Sequence, residues 1–88
     1  MNKEELSNLE GCIVSEAEVE EAKKIEGVEL GGCKVVDMSY NSFTDYQKEN
    51  MKRFEGTREY TNYWFIYSIW DEGEEIPVTI DVYVPTGR

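Results

Sequence analysis

Residues 60–84 read YTNYWFIYSIWDEGEEIPVTIDVYV, and the fold is decided there. The run from Tyr60 to Trp70 is bulky at odd and even positions alike, the pattern of a central strand covered on both sides. The run from Ile76 to Val84 alternates instead, with Ile76, Val78, Ile80, Val82 and Val84 separated by Pro77, Thr79, Asp81 and Tyr83. Pro77 has no N–H to give to a ladder, which suits an edge strand or the start of a strand. Between the runs, Asp71-Glu72-Gly73-Glu74-Glu75 is polar, and Gly73 offers a left-handed position for a short hairpin with a bulge.

Register sets which side of such a hairpin is the core, because a slip of one residue exchanges the faces. With Trp70 set against Glu74 or Ile76, the residues Trp64, Ile66 and Trp70 join Ile76, Val78, Ile80 and Val82 in the core. Tyr63, Phe65, Tyr67 and Ile69 then lie beside Thr79, Asp81 and Tyr83 on a second face. That face needs a cover, whether an acidic helix, a second copy of the chain or a partner, since large exposed aromatic patches mark interfaces.

Outward towards the N-terminus, 28–40 reads as a first strand broken or bulged at Gly31-Gly32, with Val36, Met38 and Tyr40 on one face and Cys33 and Val35 on the other. The two glycines lead into a strand and sit in no phosphate-loop frame. Ser15-Glu16-Ala17-Glu18 is a capping box, with Val14 and Val19 placed for a hydrophobic staple. Glu16, Glu18, Glu20 and Glu21 crowd the start, Lys23 and Lys24 stand near the end, and Gly27 can close it, so a helix is expected over 15–26. A second box at Thr44-Asp45-Tyr46-Gln47 opens a helix that Gly56 stops, with Phe43, Met51 and Phe54 directed at the core. A shorter helical turn starts at Asn2 and ends before Gly11. The expected fold class is α+β, with a small antiparallel or mixed three-stranded sheet ending in a C-terminal β-hairpin. Two helices pack on it in the order α-β-α-β-β, and residues 1–88 make a single domain.

Eighty-eight residues bury a modest core, and 40% hydrophobic with 12% aromatic content is too rich for a disordered chain even at a net charge of −10. The charge is uneven: residues 1–37 hold 10 acids and 4 bases, residues 38–70 hold 4 of each, and residues 71–88 hold 5 acids and 1 base. Such a field repels nucleic acid and anionic membranes and steers the chain towards basic surfaces. The plainer role of these acids is solubility. No apolar run reaches the length of a membrane span, and Met1-Asn2-Lys3-Glu4-Glu5 lacks a signal-peptide pattern, so a cytoplasmic location is expected.

Chemistry is limited by inventory. There is no histidine, and Cys12 and Cys33 are too few for a zinc site; reduced, buried thiols are expected. The acidic loop 71–75 lacks calcium-hand spacing, no carboxylate pair stands out, and the aromatic residues lack the basic surroundings of a nucleic-acid platform. No enzyme, cofactor, metal or direct nucleic-acid ligand is expected. What remains is a small acidic protein-binding or inhibitory module that engages a basic surface, such as that of a nucleic-acid-binding effector. Its contact residues would be Glu16, Glu18, Glu20, Glu21, Tyr63, Phe65, Tyr67, Asp71, Glu72, Glu74, Glu75 and Tyr83. In size, charge and lack of motifs the profile resembles that of small phage-encoded anti-defence proteins, including anti-CRISPR proteins and DNA mimics. No residue pattern is shared that assigns a site. The alternatives are a homodimer built on the aromatic sheet face and a small-ligand pocket lined by Phe54, Tyr60, Trp64 and Trp70.

Overall fold

Reciprocal caps start both helices in the computed structural model, which describes residues 1–37 and 59–86. The Asn2 side chain accepts from the Glu5 N–H at 2.8 Å and the Glu5 carboxylate accepts from the Asn2 N–H at 3.2 Å, opening α1 (Lys3–Ser7). Ser15 and Glu18 make the same exchange at 3.2 and 3.1 Å at the head of α2 (Glu16–Lys23). This helix ends three residues short of the expected 26, and Gly27 takes its left-handed conformation in the loop beyond, at φ 83°. The second capping box and its helix, with Met38, Tyr40, Phe43, Met51 and Phe54, lie outside the described residues.

Three antiparallel strands, β1 (Glu29–Asp37), β2 (Glu59–Asp71) and β3 (Glu74–Pro85), form a sheet in the order β1-β2-β3. The bulky run is therefore central and the proline-bearing strand lies at an edge, positions that suit their patterns. Glu72 and Gly73 are both left-handed, at φ 50° and 81°, and form a two-residue turn that sets Asp71 against Glu74 and Trp70 against Glu75. A turn with two left-handed residues matches the twist of its strands and needs no bulge.

That turn overturns the expected register. Odd residues of β2 share a face with even residues of β3: Tyr63 faces Val82, Phe65 faces Ile80 and Tyr67 faces Val78. This face is the core. Leu6 of α1, Val19 and Ala22 of α2, and Cys12, Val14 and Val28 of the connections pack on it, with Phe65 at 0% exposure and Tyr67 also buried. Tyr63, Phe65 and Tyr67 thus lie under the helices and do not form an open surface, and Tyr83 belongs to the opposite face, paired with Asn62.

On that opposite face Tyr60 and Asn62 are buried too, so one end of β2 is covered on both sides. The Asn62 amide is satisfied there, donating to the Val82 carbonyl at 3.2 Å and to the Asp81 carboxylate at 3.4 Å. The bulge expected at the paired glycines is present between Leu30 and Gly32. The Trp64 indole explains its composition: it lies so close over both glycines that a Cβ on either would stand 2.5 Å from a ring carbon.

The outer edge of β3 is closed by the short segment Gly11–Val14, whose type could not be read from Cys12-Ile13-Val14 alone. Gly11 N–H donates to Asp81 O at 2.7 Å, Val14 N–H to Tyr83 O at 2.8 Å, and Tyr83 N–H to Cys12 O at 2.9 Å. Among the described residues no helix is long and apolar enough to cross a membrane.

Candidate functional site

The helices cover β2 and β3 only as far as the Tyr67–Val78 rung. Beyond it the hairpin continues alone through Ser68–Pro77, Ile69–Ile76, Trp70–Glu75 and Asp71–Glu74. Four rungs at 3.3 Å make an arm of about 13 Å. Its apolar side chains are exposed: Trp70 is 72% exposed, Ile69 is 45% exposed, and Ile76 is exposed as well. Ile69 and Ile76 stand on the core side and Trp70 on the other, so the arm is apolar on both faces.

Acids surround the arm's end. Asp71, Glu72, Glu74 and Glu75 are all exposed, and none takes part in an ion pair among the described residues. The Ser68 hydroxyl donates to the Glu75 carboxylate at 2.7 Å and holds it along the strand. At the arm's base the Lys3 ammonium stands 5.7 Å from the centre of the Tyr67 ring. An open groove of about 330 Å³ lies beside it, lined by Lys3, Gly27, Glu29, Ile66, Tyr67 and Ser68.

The acids of α2 form a separate group. Glu18 is engaged in the cap of its own helix and Glu20 pairs with Lys23 at 2.9 Å. Glu16 and Glu21 are exposed, and the nearness of Glu16 adds to the effect of burial in raising the pKa of Tyr63. Tyr63 is eight residues from Asp71 along β2, roughly 26 Å at strand spacing, so the two acidic groups do not merge into one surface.

The arrangement brings together four of the expected contact residues, Asp71, Glu72, Glu74 and Glu75, and joins them to Trp70, Ile69 and Ile76, which the expected register had placed among the core and second-face residues. Of the residues expected to line a pocket, Phe54 lies outside the described residues, Tyr60 is fully buried, and Trp70 stands ten residues from Tyr60 along β2, at the arm's end. The seam between helices and sheet, lined by Leu6, Leu9, Val14, Val19, Phe65 and Val82, has no room for a water molecule. Cys12 is buried, with its thiol pushed up in pKa chiefly by that burial, and Cys33 is exposed, against the expectation of two buried thiols; neither is bridged.

Among the described residues no group of three or more carboxylate and thiol side chains is placed to hold a metal ion. Comparison with protein-family models, curated proteins and solved structures finds no match.

Proposed function

We propose that this chain is a protein-binding module, inhibitory in kind, whose projecting hairpin docks on the basic surface of a partner protein. The supporting observation is Trp70, 72% exposed at the end of an arm and framed by Asp71, Glu72, Glu74 and Glu75. Tryptophan at the centre of a contact, ringed by polar residues that exclude water, is the usual composition of a binding hot spot. Burying the exposed part of this ring contributes about 3–4 kcal/mol of gross apolar transfer energy. Ile69 and Ile76, on the opposite face of the arm, add apolar surface for a groove that encloses the tip from both sides. The four carboxylates supply the charge that speeds encounter with a basic groove, including one that ordinarily receives nucleic-acid phosphates. The α2 carboxylates lie outside this contact and are not needed for it.

The test is affinity capture from the native host with the wild-type chain, Trp70→Ala, and the tip-neutral variant Glu72→Gln/Glu74→Gln/Glu75→Gln. Trp70→Ala should lose the captured protein at low and high salt alike. The tip-neutral variant should keep it at low salt and show a flatter dependence on salt, while Glu16→Gln/Glu21→Gln should behave as wild type. Undiminished capture of the same protein by Trp70→Ala would remove the arm from the contact.

A further inference from the structure

The two edges of the sheet are treated differently. The outer edge of β3 is closed by Gly11–Val14 over Asp81–Tyr83 and carries Pro77, Glu74 and Glu75 along the rest. On β1 no described residue lies against the outer edge, there is no proline, and the strand is exposed along most of its length. Leu30, Cys33 and Lys34 are all exposed and Val35 is 63% exposed. A sheet edge whose residues are exposed is a template for another strand.

The side-chain order of β1 indicates which strand. Because the ladder with β2 slips between Leu30 and Gly32, Glu29 and Lys34 fall on one face, opposite Ile66 and Asn62, although they are five residues apart. Leu30 and Cys33 fall on the other face, opposite Phe65 and Tyr63. The bulge thus makes the segment complementary to itself turned end for end. About a two-fold axis between Gly31 and Gly32, each Glu29 meets Lys34 of the second copy, and each Leu30 meets Cys33. Faces agree at every pair, and the side-chain-free glycines leave room for the strands to approach at the axis.

We propose that the chain forms an antiparallel homodimer through residues 29–34 of β1, joining two three-stranded sheets into one of six strands. Unlike the expected dimer, this contact uses a backbone edge, and it is independent of the arm around Trp70. A contact of six residues per copy is small and the net charge of −10 on each chain opposes it, so the dimer is a weak one that moderate salt favours by screening the long-range repulsion.

Sedimentation of the full chain at about 0.15 M salt, from roughly 10 µM to roughly 1 mM, covers the range expected of so small an interface. The mass should rise from that of the 10.2 kDa monomer towards twice that value. Glu29→Lys and Lys34→Glu each place like charges face to face twice and should move the midpoint about tenfold higher in concentration. The double variant Glu29→Lys/Lys34→Glu restores opposite charges and should return the midpoint to that of wild type. Trp70→Ala should leave it unchanged. A monomer throughout the range overturns the dimer; association that is indifferent to the single changes, or is not rescued by the double change, overturns this register. Loss of association in Trp70→Ala would assign the contact to the arm instead.

Discussion

A methyl group at Gly31 would stand 2.5 Å from Cδ1 of Trp64, closer than packed atoms approach, and Ile66 Cδ1 is only 2.8 Å away. Gly31→Ala is therefore expected to destabilise the fold by about 1–3 kcal/mol, the usual cost of overpacking. In a Trp64→Ala background the same change should cost much less, and urea unfolding of the four proteins measures the coupling. Equal costs in both backgrounds would mean that the indole does not lie on the glycines. A second residue carries a pH signature. The Glu10 carboxylate accepts from the Asp81 N–H at 2.7 Å, and its pKa is raised above 4.5 by burial foremost, with the Asp81 charge adding to the rise and the hydrogen bond opposing it. A carboxyl with a raised folded pKa holds its proton where the unfolded chain has lost it. Its contribution to stability is thus greatest at low pH and falls as pH rises through the window above 4.5. Glu10→Gln keeps an acceptor for the Asp81 N–H and should raise the melting temperature at pH 7 more than Glu26→Gln does, with the gap closing towards pH 4; an equal effect of the two changes would contradict this reading.

The hairpin was legible as an element and illegible in its register. Bulk on both faces suited a central β2, Pro77 suited an edge or a strand start for β3, and the caps at Asn2 and Ser15 marked where α1 and α2 begin. The polar run Asp71–Glu75 left several turns open, since Glu-Gly lacks the strong two-residue signal of Asn-Gly or Asp-Gly. A bulged turn exchanges the faces of β2, putting Trp70 in the core and Tyr63, Phe65 and Tyr67 outside it, whereas the two-residue turn does the reverse. The side chains at issue are apolar on both faces of β2, so hydrophobic pattern alone could not correct the choice. Glu72 itself bears the cost of a left-handed conformation, at φ 50°. Glu72→Asp keeps the charge and creates an Asp-Gly turn, and it should stabilise the chain by about 1 kcal/mol, the order of the left-handed penalty. An unchanged or lower urea midpoint would count against the two-residue turn. The covering of β3 by Gly11–Val14 was out of reach for a different reason: a four-residue segment holding one isolated bridge has no period to read.

At the scale of the molecule, the sheet is covered at one end of its central strand and bare at the other, and this asymmetry creates the candidate site. Where Tyr60, Asn62 and Phe65 sit, both faces of β2 are closed; where Ile69 and Trp70 sit, both are open. The acidic composition suits a binder of basic surfaces, and the contact proposed for it lies at the end of an arm instead of on a tyrosine face. The most direct measurement uses tryptophan fluorescence in Trp64→Phe, where Trp70 is the sole indole. In dilute solution the emission should be that of a water-exposed ring, quenched by acrylamide almost as freely as the amino acid, and should shift to the blue and become protected when the captured partner is added. A blue-shifted, protected emission from the free chain would place Trp70 in the core and contradict both the register and the site built on it.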